Sequence, residues 1–337
     1  MILSALVVKI KLSGFFTKHF QMTLSSEILA EARCVACGCT DTTQFHLAFQ
    51  KPEMQVLRCQ NCDFVFVPPF YRKQISYLNY KGQDVLEQVR KGNNWLKIQS
   101  QKVKFGIIQK YMPSGKLFDL GCGWGHFLLT AKELGYDIYG VEISKHLFEY
   151  CTKDLNLPVE DRNLFDMDET KQFDVLTMWD VLEHIDDADK FVEKCSKLVR
   201  KGGYMFIQVP QIDSFLAKKY KEKWKMMSLD HVNYFSPKTL GTLLERYGFR
   251  LVESKSSIDL KIFLMYYILP WLRKKKTNAI ENQPVAISSA ERQAYFNQLT
   301  HRPMWQLKIM SFGHHFLYKL LSLLKIGEEM IVVAERK

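Results

Sequence analysis

The sequence predicts an α/β chain: a seven-stranded, doubly wound sheet, a small cysteine-rich ribbon ahead of it, and a helical insertion before the last strand. Three observations predict it. From residue 116 onward, apolar runs of strand length alternate with stretches of helical periodicity. The first of those strands runs into a turn with glycines at 121, 123 and 125. Two Cys-x-x-Cys pairs stand well before it.

Size and charge set the bounds. With 337 residues, 47% of them hydrophobic, and a mean hydropathy of -0.17, the chain can bury a large core and is not disordered by composition. The formal charge of +11 favours anionic partners: nucleic acid, a nucleotide-activated substrate, or an acidic membrane surface. Many soluble enzymes carry such an excess for no specific partner.

Residues 1–30 read as an N-terminal extension. Met1 to Val8 is apolar, but no basic residue precedes it and no small-residue cleavage site follows, so a secretory leader is not expected. Met22 is an alternative start, since Thr23 to Glu27 reads as the beginning of a capped helix.

Residues 31–70 hold Cys34-x-x-Cys37 and Cys59-x-x-Cys62. Each pair bends the chain so that two thiolates face one tetrahedral ion, and four thiolates leave no open position for chemistry, so a structural zinc is expected. Cys39 and His46 are competing ligands without the paired spacing. Eight cysteines, four in metal spacing and the others scattered, fit a reducing cytoplasm better than a disulfide scaffold. Cys122, Cys151 and Cys195 read as packing residues.

Residues 71–112 read as a linker and N-terminal helices. Tyr77 and Tyr80 are candidates to cover a ligand, and Trp95, Ile98, Val103, Phe105, Ile107, Ile108 and Tyr111 fit a helix that Pro113 ends. The sheet domain, 113–337, follows. Its expected strands are 116–120, 137–142, 157–161, 173–179, 203–209, 249–256 and 329–335, with helices near 125–134, 144–154, 187–199 and 237–247 and a turn at Lys201-Gly202-Gly203. Residues 258–326 form the insertion. Its apolar run Ile262 to Leu272 ends in Arg273-Lys274-Lys275-Lys276, and a second leucine-rich segment spans Phe312 to Leu324. That pattern suits an interfacial helix with a basic edge, docking peripherally on an anionic inner membrane, or a helical cover or dimer face.

The glycine turn indicates a nucleoside-cofactor site. Gly121, Gly123 and Gly125 let the backbone turn sharply and approach a ligand. Glu142, at the end of the next strand, sits where an acid accepts hydrogen bonds from ribose hydroxyls. A nicotinamide site favours G-x-G-x-x-G. Here the spacing is G-x-G-x-G, with Asp119 two residues before the first glycine. A carboxylate there suits a cationic amino-acid ligand better than a pyrophosphate. The stretch Asp119 to Gly125 resembles the first motif of class I S-adenosyl-L-methionine (SAM)-dependent methyltransferases.

Downstream residues extend the resemblance. Phe173 to Trp179 is an apolar strand ending in the polar cluster Asp180-Val181-Leu182-Glu183-His184, and His231-Val232-Asn233-Tyr234-Phe235-Ser236-Pro237 follows a further strand. With the cysteine pairs, the chain is similar to a bacterial branch with an N-terminal zinc ribbon that acts on glycans and secondary metabolites. The resemblance implies a Rossmann-like sheet whose last strand is antiparallel and slots between the fifth and sixth. It implies that Asp119, Gly121, Cys122, Gly123 and Gly125 hold the methionine end of SAM, that Glu142 holds the ribose, and that Ile143, Asn163 and Leu164 lie by the adenine. Trp179 and Asp180 then face the methyl donor, with His184 as general base. Glu183 orients that base or binds a divalent ion, and His231 and Tyr234 reach the same mouth. Structural alternatives are a capping or core-bonded His184 and a loop-packing role for His231 and Tyr234.

The function expected is methyl transfer to a small-molecule or glycan acceptor, with a sugar hydroxyl first. The alternatives are an RNA methyltransferase whose ribbon and charge recognise RNA, and a non-catalytic SAM-binding scaffold. Oligomeric state is not legible.

Overall fold

The computed structural model describes residues 24–72, 95–257, 305, 306, 308, 312 and 327–337. The expected start at Met22, the tyrosines at 77 and 80, and the insertion, apart from a few helical positions between Trp305 and Phe312, lie outside the described residues. Among those described, no helix is long and apolar enough to cross a membrane.

The cysteine-rich segment folds first in chain order. A single turn, α1 (Ser26–Leu29), is capped by the Ser25 hydroxyl, which accepts from the Ile28 amide. Three short strands follow: β1 (Phe45–Gln50), β2 (Gln55–Cys59) and β3 (Val65–Phe66). They pair antiparallel in that order.

Next come α2 (Trp95–Tyr111), β4 (Lys116–Leu120), α3 (His126–Glu133), β5 (Asp137–Val141), α4 (Lys145–Glu149), β6 (Val159–Glu160) and β7 (Phe173–Trp179). The chain continues through α5 (Ala188–Leu198), β8 (Val199–Pro210), α6 (Phe215–Tyr220), β9 (Asn233–Tyr234), α7 (Pro237–Arg246), β10 (Phe249–Ser257) and β11 (Glu329–Arg336). The seven-stranded sheet has the order β10-β11-β8-β7-β4-β5-β6. Strands β8, β7, β4, β5 and β6 are parallel, and β11 runs antiparallel between β8 and β10, as expected.

Sequence dictates these elements locally. In α5, Ala188, Phe191, Val192, Cys195 and Leu198 recur at helical spacing and are all buried. Helix α7 starts where Pro237 stands at the first position and Ser236 and Thr239 form a reciprocal capping box. Strands β4 and β7 are buried on both faces because helices cover the parallel sheet, so they read as continuous apolar runs.

Three details differ from the expectation. The stretch Lys201 to Gly203 is not a turn before a strand: β8 runs through it from Val199, and a register shift between Phe173 and Val175 absorbs three extra residues of β8. Gly202 takes φ +71° there, and a Cβ on Gly203 would meet the Arg200 and Asp174 carbonyl oxygens at 2.9 and 3.0 Å. The helix expected over 144–154 gives way after Glu149 to a π turn, Tyr150–Asp154. The segment around Asn233, expected as a loop, contributes β9, which pairs with β3 and completes a four-stranded sheet with the cysteine-rich strands.

That pairing makes the cysteine-rich segment and the large sheet share one core. Phe64 packs on Phe235 with ring centroids 5.1 Å apart, in the cluster that also buries Phe66, Leu240 and Phe249. The Arg246 guanidinium donates to the Val35 and Ala36 carbonyls at 2.7 and 3.0 Å, and Arg33 pairs with Asp187 and Asp189 ahead of and within α5.

Candidate functional site

Strand order reverses at β4, with β5 on one side and β7 on the other. In a parallel sheet the crevice beyond the carboxyl ends at such a point is where ligands bind. The predicted glycine turn leaves β4 there. It is pinned to β5 because the Gly121 and Cys122 amides both donate to the Val141 carbonyl, at 3.0 and 3.1 Å.

The three glycines have different reasons. All have positive φ. A Cβ on Gly123 would meet nothing closer than the Gly121 carbonyl oxygen at 4.0 Å, so this position faces open space. A Cβ on Gly121 would come within 3.0 Å of Val181. On Gly125 it would strike Leu157 at 2.7 Å and the Cys151 sulfur at 2.9 Å. Gly125 is therefore fixed by packing. Cys122 lends only its backbone to the turn, since its thiol is buried in the core beside Cys151.

Glu142 follows β5 and is 7% exposed. Its two carboxylate oxygens accept from the Gly123 and Ser144 amides, each at 2.8 Å, which fixes the side chain against the turn. Burial pushes its pKa up and those amides pull it down. Ile143 beside it and Phe165 further on expose 42% and 48% of their apolar surface. Leu164 is buried, and the Asn163 side chain caps the short turn Leu164–Asp166 by accepting from the Phe165 amide at 3.0 Å.

Asp119 is fully buried on β4 and accepts from the Thr177 hydroxyl of β7 at 2.6 Å. Desolvation pushes its pKa up to about 7, against the pull of the Thr177 bond and the Lys104 charge. The Lys104 amine stands 4.1 Å from the Trp179 ring centroid, and the Trp179 indole N–H is buried without a partner. Lys104 was not foreseen: it lies on α2 between Val103 and Phe105, and a charge interrupting an apolar stripe was the one available signal.

The end of β7 carries the second half of the site. Asp180 takes φ +59°, a region that costs a non-glycine residue about 1–2 kcal/mol. The Gln208 amide of β8 holds it by donating to both carboxylate oxygens, at 3.0 and 3.1 Å. The turn Leu182–His184 then brings Glu183 and His184 against the segment before β9. The Asn233 amide ties the two together, donating to the Leu182 and Ile185 carbonyls at 3.2 and 2.7 Å. His184 Nδ1 bonds the Asp230 carbonyl at 2.8 Å, and His231 Nδ1 bonds the Met226 carbonyl at 2.7 Å. The two rings meet edge to face at 4.7 Å. Burial, with His184 alongside, lowers the His231 pKa to about 4. Glu183 is buried, and desolvation followed by the charge of Asp180 pushes its pKa well up.

Tyr234 is placed differently from the expectation. Its ring is fully buried among Met54, Val65 and Trp224, and its hydroxyl donates to the Ser228 carbonyl at 3.3 Å. It packs the four-stranded sheet. Polar residues inside apolar strands, Thr177 and Gln208, were the overlooked signals, because a buried polar group marks a partner.

The four cysteines converge. Cys34 and Cys62 sulfurs are 3.5 Å apart, Cys37 and Cys59 3.7 Å, and all four lie within 4.8 Å of one another. A tetrahedral ion with bonds of about 2.3 Å sets sulfurs about 3.8 Å apart, so the set fits zinc. All eight cysteines are free thiols. Cys39 turns to the Asp41 carbonyl and His46 is exposed, so neither belongs to the cluster.

Residues 98–254 match a family profile described as a methyltransferase domain. The chain is 29% identical over 128 residues to a ubiquinone biosynthesis O-methyltransferase of Pelagibacter ubique, covering 34% of this chain and 53% of that protein. It is 35% identical over 100 residues to the enzyme of that name in Mesorhizobium japonicum, covering 27% and 39%. It thus spans about half or less of these curated relatives. An uncharacterized protein of Methanocaldococcus jannaschii is 27% identical over 167 residues, 47% of this chain and 75% of that one. Among solved structures, a SAM-dependent methyltransferase from Archaeoglobus fulgidus overlays with a TM-score of 0.46 at 19% identity, covering 75% of this chain and 99% of that one. Residues 98–254 of this chain are thus similar in sequence to a methyltransferase domain.

Proposed function

We propose that this chain moves a methyl group from SAM to a hydroxyl of a small-molecule acceptor, a sugar or glycan hydroxyl first among them. The observation that carries the reading is the pairing of two halves across the strand switch: a glycine turn with a buried carboxylate on one side, and the cluster Asp180, Glu183, His184 and His231 on the other. The name of the two ubiquinone-pathway relatives, O-methyltransferase, supports oxygen as the accepting atom.

On the cofactor side, Glu142 takes the ribose hydroxyls and Ile143 and Phe165 cover the adenine, with Asn163 and Leu164 beside it. Gly121 and Gly123 let the methionine end approach, Asp119 faces its ammonium charge and Lys104 its carboxylate. SAM supplies an electrophilic methyl on a sulfonium. Asp180 and Trp179 line the place where that methyl meets the acceptor.

On the acceptor side, His184 takes the hydroxyl proton. A carbonyl can only accept, so Nδ1 carries the proton donated to Asp230, and Nε2 keeps the lone pair that acts as base. The same argument leaves Nε2 of His231 as an acceptor. Zinc in the four-cysteine cluster holds the ribbon, and so the β3–β9 pairing that supports His231, in place.

The test is transfer of labelled methyl from SAM into extracts of cells lacking the gene, fractionated into RNA, lipid-plus-glycan and small-molecule pools. Asp119→Ala protein serves as the blank. Label in the glycan or small-molecule pool is expected. Label confined to RNA overturns the reading and makes the ribbon and the +11 charge a recognition surface.

A further inference from the structure

We propose that Arg72, just beyond the cysteine-rich strands, is a positioning residue for methyl transfer: it fixes the backbone segment that carries His184. The inference rests on the reading of His184 as the base, and its test separates the two.

The geometry is a closed circuit of hydrogen bonds. The Val232 amide donates to the Glu183 carbonyl at 2.8 Å, and the Val67 amide donates to the Val232 carbonyl at 2.9 Å. The Val67 carbonyl accepts from Arg72 Nε at 2.8 Å, and Arg72 Nη1 donates to the Asp186 carbonyl at 3.1 Å. The circuit leaves the short turn at Glu183 and returns to the chain at Asp186, with His184 between them. His231 adjoins Val232, so both histidines hang from one frame. Two of the four bonds join backbone to backbone. The other two come from one guanidinium, whose planar fork sets both directions at once.

An ordinary surface ion pair does not account for Arg72. Its side chain is 12% exposed, whereas the Asp186 carboxylate, 3.3 Å from Nη1, is 66% exposed. Burial pulls the Arg72 pKa down, against the pull of Asp186. A pair with one partner in water stabilises little, and a buried cation is costly. The two carbonyls are what that burial secures. Arg33 differs, since its recorded bonds go to the carboxylates of Asp187 and Asp189. Without Arg72, the Asp186 peptide is free to turn, and only Ile185 separates it from His184. A base displaced by about 1 Å loses about 100-fold in rate.

The test compares full-length wild-type protein with Arg72→Ala. One readout is the rate of labelled methyl transfer, at saturating SAM, into the extract pool that the wild-type protein labels. The other is the His184 Nδ1 proton resonance in protein carrying nitrogen-15 histidine, assigned by its loss in His184→Gln. That resonance reports the bond to the Asp230 carbonyl and needs no acceptor. In Arg72→Ala the rate should fall about 10–100-fold and the resonance should shift or broaden, with SAM affinity within about threefold. Guanidinium ion at a non-denaturing concentration should restore both, entering by the cleft of about 370 Å³ that Arg72, Pro69 and Asp186 line. Arg72→Lys keeps the charge but lacks the fork, so it should recover less than about half of the rate. Asp186→Ala keeps the carbonyl and should stay within about threefold of wild type.

A wild-type rate and resonance in folded Arg72→Ala overturn the proposal. So does a loss in Asp186→Ala as large as that in Arg72→Ala, which would assign the effect to the ion pair. Where Arg72→Ala does not fold, Arg72→Lys decides, and an unmoved resonance there overturns the proposal. A shifted resonance with full turnover in both Arg72→Ala and His184→Gln keeps the positioning and sinks the base. An unmoved resonance in Arg72→Ala beside an inactive His184→Gln does the reverse.

Discussion

Thr177 donates its hydroxyl to the buried Asp119 carboxyl at 2.6 Å, joining β7 to β4 at the point where the strand order reverses. Desolvation holds that carboxyl near pKa 7, against an ordinary value of 3.8. Between those two values the folded chain keeps a proton that the unfolded chain has released, so this group lowers stability as pH rises from about 3.8 to about 7, and no further above. A bound cation favours the ionised form, so SAM affinity should rise with pH up to about 7, by at most about tenfold per unit, and then level off. Calorimetry in buffers of different ionisation enthalpy should show proton release on binding at pH 6. Asp119→Asn should bind more weakly with a flat profile; an unchanged slope removes Asp119 from the cofactor site.

Gly123 and Gly125 should fail in different ways. Alanine at either position carries the left-handed cost of about 1–2 kcal/mol. Gly125→Ala adds a collision with Leu157 and Cys151, of the overpacking kind worth about 1–3 kcal/mol more, and should lower the melting temperature further. Gly123→Ala meets open space and should keep more of its stability while losing SAM affinity. Thermal melts with and without SAM separate the two; equal losses of stability count against the distinction.

Replacing His184 by alanine should cut turnover by about 10²–10⁴-fold and leave SAM affinity within about threefold, since the imidazole acts on the acceptor proton. Single-turnover rates beside equilibrium SAM binding make the comparison. Unchanged turnover sinks the assignment.

On the proposal that the four cysteines hold zinc, removing that ion should disturb more than the cysteine-rich segment. A strong chelator is expected to take one tightly held zinc per chain and to expose backbone amides of β2 and β3 to hydrogen exchange. Amides of the segment around β9 should follow, because Val65 and Phe66 pair with Tyr234 and Asn233. Exchange confined to residues before 72 would show the two parts to be uncoupled.

The large sheet was legible because its strands are buried on both faces and its helices carry apolar stripes, so period and length reveal each one. Asp119, the glycine turn and Glu142 were legible for another reason: an acid next to glycines breaks an apolar pattern. Lys104, Thr177 and Gln208 were missed because each makes its point only through a partner on another element. Strand β9 left no local signature at all, being two residues long with its partner far back in the chain. Tyr234 misled because its segment reads as a loop reaching the mouth of the site, whereas its depth is set by that distant pairing.

The shared strand β9 also governs how this protein can be cut and recombined. A chimera that exchanges residues 31–70 for another ribbon inherits an edge, Asn233 and Tyr234, shaped for the strand it has lost. Shortening the chain to begin after residue 72 would leave Phe235 and its neighbours without Phe64, turning an interior surface outward as a sticky patch. The smallest transplantable unit is therefore the ribbon together with the segment from Met226 to Phe235, although nearly the whole methyltransferase domain lies between them in the sequence.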